Sequence, residues 1–241
     1  TQALEKAGFE AYLVGGCVRD LIMNREPNDW DVTTNANPEQ IIALFEKTVY
    51  ENNFGTVGVC IPKEVTRETI PEGGNKEPEY EIIEVTPYRI EAGYSDFRHP
   101  DEIKFSTKLE DDLKRRDFTI NTLALDSKGH LTDMFEGLKD IQNKAIRTVG
   151  EADERFTEDA LRLVRAVRFS TQLNFSISHE TTESILKNSE LIKKISTERI
   201  RDEFIKIIMS ENPMIGISML SRFGILKNII PELEEGIHCE Q

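Results

Sequence analysis

The sequence predicts an α+β protein with a mixed β-sheet and flanking helices over residues 1–147 and an all-helical part over residues 148–241. Three observations carry this. Short apolar, β-branched runs at Val57–Ile61 and Tyr80–Thr86 alternate as strands do. Short helical patterns are interspersed with them. Near Gly150 the texture changes, and from Thr157 onward the apolar residues recur at helical spacing with very few turn signals.

The elements follow in order. Residues 1–8 read as a helix and Phe9–Val14 as a strand leading into a Gly15-Gly16 turn, after which Arg19–Met23 opens a helix. A strand begins near Trp30 and ends at Val32. Pro38–Phe45 is a short amphipathic helix, with Ile41, Ile42, Leu44 and Phe45 on or near one side. Pro62–Glu79, with Gly73-Gly74 and many charges, is an exposed hairpin loop, and Glu91–Pro100 is a second loop. Thr119–Leu125 reads as helix or strand and Leu131–Phe135 as a strand. Thr157 is the expected N-cap of a helix over Thr157–Leu173, carrying Leu161, Val164, Val167 and Phe169 at helical spacing. Thr181–Lys187, Glu198–Met209 and Pro213–Phe223 continue the helical style.

Composition limits what this chain does. Its 241 residues are enough for a sizeable core and one large or two small domains. No apolar run reaches bilayer-spanning length, so no membrane partner is expected. The sequence starts at Thr1 rather than Met, and no signal peptide is visible. Three cysteines, Cys17, Cys60 and Cys239, are odd in number and lack C-x-x-C spacing. They fit neither a disulfide framework nor a zinc site, and a cytoplasmic location is the simple inference. The net charge of −14 argues against broad, non-specific nucleic-acid binding. Basic residues are nevertheless clustered, at Lys114-Arg115-Arg116, at Arg162, Arg165 and Arg168, and at Lys193-Lys194 with Arg199 and Arg201. Local patches of this kind bind polyanions on an acidic protein.

The most informative pattern is Asp29-Trp30-Asp31, thirteen residues after Gly15-Gly16. If residues 29–32 are extended, the two carboxylates lie side by side on one face. Adjacent carboxylates repel unless protonated or bridged by a cation, and Mg²⁺ bridged to a substrate phosphate is the usual solution. The double glycine offers backbone N–H groups with no side chain in the way, which suits a phosphate. Each half alone is more often a solvated turn; the combination reads as a site for a metal-bound nucleoside triphosphate. Glu84, on a strand face shared with Ile82, is the candidate third acid, the alternative being an exposed edge strand. Arg116 suits phosphate or sugar contact. Asp117 and Asn121, four apart, either hold a ribose or tie the domain together. Asp159 and Arg162, read as i,i+3 neighbours on one helix, pair an acceptor with a donor fork. That pair selects cytosine and adenine, which offer an amino donor beside a ring-nitrogen acceptor, over uracil and guanine. An ordinary intrahelical salt bridge is the alternative.

Taken together, Gly15-Gly16-Cys17-Val18-Arg19-Asp20, Asp29-Trp30-Asp31, Glu84-Val85-Thr86, Arg115-Arg116-Asp117-Phe118-Thr119-Ile120-Asn121 and Glu158-Asp159-Ala160-Leu161-Arg162 resemble the motifs of the class II tRNA nucleotidyltransferases (CCA-adding enzymes), a superfamily that includes bacterial poly(A) polymerase. Ser196-Thr197-Glu198-Arg199-Ile200 resembles the helix-stabilising motif of the neck. The resemblance implies a nucleotidyltransferase head over 1–147 and a helical neck with the start of a body over 148–241. It implies Asp29 and Asp31 as Mg²⁺ ligands, with Glu84 as the third catalytic carboxylate. Gly15, Gly16, Arg19, Arg116, Asp117, Asn121, Asp159, Arg162, Arg165 and Arg168 would bind the nucleotide. The implied reaction is attack of a tRNA 3′-hydroxyl on the α-phosphate of CTP or ATP. Alternatives are an A-only enzyme, a poly(A) polymerase, or a non-catalytic RNA-binding module. Asn53-Phe54-Gly55-Thr56-Val57-Gly58-Val59 favours the tRNA-specific branch, and Glu91, Tyr94, Asp96, Arg98 and Pro100 form a loop compatible with A addition. Two departures stand out. Glu136 occupies a position where the family usually has glycine, which implies a stiffer hinge. The end, Glu235 to Gln241, resembles the lead-in to a further helical domain, so a fragment is expected. Oligomeric state is not legible.

Overall fold

In the computed structural model, residues 1–51, 55–62, 79–94 and 100–236 are described below. Along the chain run α1 (Gln2–Lys6), β1 (Ala11–Val14), α2 (Gly16–Ile22), β2 (Asp31–Thr34), α3 (Pro38–Leu44), β3 (Thr48–Glu51), β4 (Thr56–Pro62), β5 (Tyr80–Pro87), β6 (Arg89–Ala92), β7 (Glu102–Phe105) and α4 (Leu109–Lys114). A 3-10 turn (Thr119–Asn121), β8 (Ala124–Leu125), β9 (Leu131–Thr132), α5 (Gly137–Gln142) and β10 (Ala145–Ile146) follow. The helical part holds α6 (Ala152–Glu158), α7 (Leu161–Leu173), β11 (Ser176–Ile177), α8 (His179–Asn188), a 3-10 segment (Ser189–Lys194), α9 (Thr197–Ile208), α10 (Pro213–Arg222), α11 (Leu226–Ile229) and α12 (Pro231–Glu235). No described helix is long and apolar enough to cross a membrane.

Two compact units form. The first holds residues 1–90, 105–112 and 124–132; the second holds 91–104, 113–123 and 133–241. In the first, a seven-stranded sheet has the order β3-β4-β5-β2-β1-β8-β9, with β2 and β5 parallel and the other pairs antiparallel. Strand alternation sends Val32, Val57, Val59 and Val85 to one face, where they bury against Leu4, Ala36 and Ile41. A capping box fixes the start of α3: Asn37 Oδ1 accepts from Gln40 N–H and Gln40 Oε1 from Asn37 N–H, each at 2.8 Å, with Pro38 in the first turn. In the second unit α7 is the central helix, burying Leu163, Val164, Ala166 and Val167 completely, with the Phe118 ring edge-on to Phe169 at 5.7 Å. Asn174 in the left-handed region ends α7, and the Ser178 side chain caps α8.

Several sequence expectations need correction. The strand at the acidic pair starts at Asp31 instead of Trp30 and runs on to Thr34, leaving Asp29 in a bend before it. The first helix after the glycines begins at Gly16, three residues earlier than expected, because Gly15 at φ 85 completes the turn by itself. Strand β3 lacked a legible signal. Residues 119–121 form a 3-10 turn, and the strand at Leu131 stops at Thr132. It stops there because the Asp133 carboxylate accepts from the N–H groups of Phe135, Gly137 and Leu138, folding the backbone into the start of α5. The antiparallel pairing of Pro62 with Tyr80 makes β4 and β5 the hairpin expected there. Asn53, Phe54, Gly73-Gly74, Asp96, Arg98 and Cys239 lie outside the described residues.

Candidate active site

The first unit assembles the acidic row. Parallel pairing of β2 with β5 sets Asp31 directly opposite Glu84, on the face away from the valine core. Glu84 is exposed, but its strand is interior, lying between β4 and β2; the edge-strand alternative is therefore ruled out. Ile82 on the same face is also open to solvent, so no burial cost falls on Glu84 there. Asp29 is exposed in the preceding bend rather than beside Asp31 in the strand. Among the described residues no group of three or more His, Cys, Asp or Glu side chains is drawn together tightly enough to hold a metal ion. Asp31 and Glu84 are thus a pair of oxygen donors in register.

Gly15 and Gly16 start α2 close to this pair. The buried Cys17 thiol donates to Val14 O at 3.2 Å and lies 3.9 Å from Asp31 O, tying the first turn of α2 to the start of β2. Burial raises the Cys17 pKa, which suits an inert packing thiol. Sequence reasoning assigned Cys17 no role, although its place between Gly16 and Arg19 was visible. The Arg19 guanidinium is buried and held by Asp20, with Nε to Oδ1 at 2.9 Å and Nη2 to Oδ2 at 3.0 Å. Cys17 and Cys60 are free and buried.

The second unit gathers the remaining candidates around α6 and α7. The helix expected to start at Thr157 does not do so. Residues 152–158 form α6, the chain breaks at Asp159 (φ −142, ψ 102), and α7 starts at Leu161. Thr157 instead donates its hydroxyl back to Asp153 O and Glu154 O, both at 2.9 Å. Asp159 takes over the capping role, its Oδ1 accepting from Leu161 N–H at 3.1 Å and its carbonyl from Arg162 N–H at 3.0 Å. Asp159 and Arg162 are therefore neighbours across a helix start, not one turn apart within a helix.

Each has a partner in the chain. Arg199 grips the Asp159 carboxylate with both nitrogens, at 3.2 and 2.8 Å. Arg162 is buried and donates to Glu158 at 2.6 Å, to Arg155 O at 3.0 Å and to Arg115 O at 3.3 Å. Arg115 reaches Glu91 at 3.2 Å, and Tyr94 donates to the same carboxylate at 2.5 Å. Arg199 had been visible only as part of a neck motif; Glu158 had a capping explanation, and Arg155 had no signal at all.

The arginine stripe of α7 is satisfied by acids. Arg165 holds Asp117 Oδ2 through Nε at 2.9 Å and Nη2 at 2.5 Å, and Arg168 pairs with the buried Glu203 at 3.0 Å. Arg165 also lies 3.7 Å from Glu203. Asn121 donates to Asp117 Oδ1 at 3.2 Å, so the i,i+4 pairing expected of these two is present although the backbone is a 3-10 turn. Arg116 is half-buried beside them.

Burial pushes the Asp117 carboxyl pKa up, but Arg165 outweighs it, helped by Asn121 and Arg162, and holds the carboxyl well below the usual range. A pKa depressed by folding means folding favours the ionised form. This stability is complete above about pH 5 and is lost as pH falls through the carboxylate range. Asp117→Asn is expected to lower stability at pH 7 and to flatten the acid limb of the stability–pH profile. Urea unfolding between pH 7 and pH 3 measures this, and an acid limb as steep as that of the parent chain would contradict it.

The family model described as the poly A polymerase head domain matches residues 11–147, and one described as a probable RNA and SrmB-binding site of polymerase A matches residues 174–237. The CCA-adding enzyme of Lactobacillus helveticus is 48% identical over 207 residues, covering 86% of this chain and 48% of that protein. The crystal structure of the Bacillus stearothermophilus CCA-adding enzyme in complex with CTP is 37% identical with a TM-score of 0.78, over 93% of this chain and 50% of that one. A CCA-adding enzyme in complex with ATP is 26% identical with a TM-score of 0.73, over 96% of this chain and 51% of that one. The chain spans about half the length of the curated relatives it matches. With the head-domain match running from β1 through β10 and taking in Asp29, Asp31 and Glu84, the chain belongs to the poly A polymerase head-domain family.

Proposed function

We propose that this chain is the catalytic portion of a tRNA nucleotidyltransferase. It adds C and/or A to the tRNA 3′ end by attack of the terminal 3′-hydroxyl on the α-phosphate of CTP or ATP, releasing pyrophosphate. The observation that carries the reading is the register of Asp31 with Glu84 on adjacent parallel strands, facing away from the core. CTP and ATP stand bound in the related solved structures, and the curated relatives are CCA-adding enzymes. Residues 1–147 form the head in this reading and 148–241 the helical neck. The free, buried Cys17 and Cys60 are compatible with a reducing cytoplasm.

The donor chemistry fits Mg²⁺. The ion is hard and takes oxygen ligands, and it is commonly held by one or two carboxylates with substrate phosphates completing its shell. Asp29 and Asp31 would hold it, with Glu84 as the third carboxylate of the site. When bound, it supplies charge stabilisation at the phosphoryl oxygens and acidifies a hydroxyl near it. The chain's own groups do the rest. Backbone N–H groups at Gly15 and Gly16, with Arg19 and Arg116, bind the phosphates; Asp117 and Asn121 take the ribose. Asp159 accepts from the amino group of C or A while Arg162 donates to the ring nitrogen. Arg165 and Arg168 support that pair through Asp117 and Glu203. On this view Asp159 exchanges its ion pair with Arg199 for the base.

The test uses the full-length protein with tRNA ending before CCA, in C, or in CC, and labelled CTP or ATP. No incorporation on any of them would leave a non-catalytic RNA-binding module. Long A tails on unrelated RNA would indicate a poly(A) polymerase, and addition only to tRNA ending in CC would indicate an A-only enzyme. Asp159→Ala is expected to raise UTP and GTP misincorporation relative to CTP and ATP by about tenfold or more, because a charged acceptor facing a carbonyl is what rejects U and G. Unchanged base selectivity would refute the template role.

A further inference from the structure

The seven-stranded sheet ends in two unequal edges. Strand β9 is two residues long, whereas β3 is four and, among the described residues, pairs along one side only, with β4. The hydrogen-bond parity of β3 follows from that pairing. Cys60 N–H donates to Lys47 O at 3.0 Å, and the ladder continues as Thr48 opposite Val59, Val49 opposite Gly58 and Tyr50 opposite Val57. Backbone groups alternate sides along a strand, so Lys47, Val49 and Glu51 turn their N–H and C=O toward β4. Thr48 and Tyr50 turn theirs outward, onto the open edge. Val49 is 51% exposed and Tyr50 38%, and Lys47 beside them is exposed too.

We propose that β3 pairs antiparallel with β3 of a second copy of this chain, centred on Val49. The stretch Lys47-Thr48-Val49-Tyr50-Glu51 suits its own antiparallel copy. In that register Thr48 stands opposite Tyr50 of the second copy, and the reverse, so every outward N–H and C=O of both strands meets its complement. Val49 meets its own counterpart at the close, non-hydrogen-bonded position, where β-branched side chains pack well. Position 47 meets position 51 on both sides, a lysine against a glutamate each time. The neighbouring registers of the same parity lose this match: centring on Thr48 sets Lys47 opposite Val49, and centring on Tyr50 sets Glu51 opposite Val49. Charges beside an edge strand ordinarily keep other strands away. Opposite charges placed symmetrically about the centre instead attract a second copy, whereas an unrelated extended peptide satisfies the backbone groups without matching the charge order. Lys47 Nζ rests 3.7 Å from the Tyr80 ring centroid, an exposed cation–π contact weak enough to be exchanged for a carboxylate. A strand this short buries less than the roughly 800 Å² per partner of a stable interface, so the dimer is weak and concentration-dependent. Directly opposed residues share a face, so the Asp31–Glu84 pairs of both copies lie on the same side of one continuous sheet.

The experiment is sedimentation equilibrium of the full-length protein from about 5 to 500 µM, with charge-reversed variants. The parent is expected to pass reversibly from monomer toward dimer across that range. Lys47→Glu sets a carboxylate against Glu51 of the second copy, and Glu51→Lys sets an ammonium against its Lys47. Each variant alone is expected to self-associate about tenfold more weakly than the parent, with an unchanged melting curve. Mixed in equal amounts, the two variants regain opposite charges at both positions and are expected to form a heterodimer as strong as the parent homodimer. Amide hydrogen exchange on the parent gives a second measurement that needs no variant. The Thr48 and Tyr50 amides gain protection as concentration rises, while the Val49 amide, already bonded to β4, does not. A parent that stays monomeric throughout, a dimer that neither reversal weakens, reversals that mixing does not rescue, or concentration-independent exchange at Thr48 and Tyr50 overturns the pairing.

Discussion

Asp31→Ala is expected to reduce nucleotide incorporation by about a thousandfold or more while shifting the melting temperature by no more than about 3 °C. The loss is large because Asp31 is the half of the in-register carboxylate pair that opens β2. Removing it takes away the carboxylate in register with Glu84, and a site with one carboxylate fewer holds Mg²⁺ and its phosphates far less well. The fold should survive because Asp31 is not among the buried core residues, whereas Val32, Thr33 and Thr34, which follow it, are fully or nearly buried and unchanged. Asp29→Ala should lower activity with equally little effect on folding, since Asp29 is exposed in a bend. Single-turnover incorporation of labelled ATP, paired with a circular-dichroism melt, separates the two effects. Activity within tenfold of the parent at full folding would remove Asp31 from the site.

The largest stability effect is expected at Gly137→Ala, with a contrary effect one residue earlier. A Cβ on Gly137 would lie 2.2 Å from Thr119 O and 3.3 Å from Leu123 Cδ2. Backbone cannot step aside as a flexible side chain can, so the first turn of α5 must move off the 3-10 turn. A cost of about 3 kcal/mol or more, roughly 10 °C in melting temperature, is the expectation. Glu136 is constrained by its backbone, not by space, adopting φ 61 and ψ 29 at the N-cap of α5. An L side chain in that region is strained by about 1–2 kcal/mol, and part of the relief gained from glycine is returned as greater freedom of the unfolded chain. Glu136→Gly should therefore stabilise by up to about 1 kcal/mol, despite losing exposed contacts with Lys139 and Arg147 that are worth little. Urea melts of both variants give opposite signs if this account holds; a neutral Gly137→Ala would refute the packing argument.

The glutamate at position 136 also illustrates how far sequence reasoning reached. The departure from glycine was visible, and it implied a stiffer hinge; the left-handed backbone it must occupy was not, because Asp133 creates that bend through three side-chain-to-backbone hydrogen bonds. The long strands β4 and β5 were legible, since their β-branched alternation reflects one buried face. Strand β3 was not, because its exposed Val49 and Tyr50 and its Glu51 leave no alternation to read. In the second unit, the arginine stripe at 162, 165 and 168 was apparent from spacing alone. Glu158 pairs with Arg162 four residues on, within one motif, but that Asp117 and Glu203 neutralise Arg165 and Arg168 was hidden, since those acids come from distant stretches of chain. The break at Asp159 was hidden for a related reason. Glu158 and Asp159 suit a helical first turn as well as they suit a junction, and the deciding partner, Arg199, lies 40 residues away.

The pairing of β2 with β5 also bears on how this site can evolve. Glu84 meets Asp31 only because β5 enters the sheet at one register, itself pinned by the hairpin with β4 that closes at Pro62 and Tyr80. Insertions or deletions in the 17 residues between that closing pair leave the acid pair untouched, so related lineages are free to lengthen, shorten or rewrite the segment. A single-residue insertion between Tyr80 and Glu84 is a different event. It would turn Glu84 toward the valine core and bring its neighbour to the acid's place, destroying the chemistry and the packing in one step. Drift should therefore concentrate between Pro62 and Tyr80 and spare the few residues of strand that follow, a boundary between free and forbidden change that lies only a few residues from Glu84.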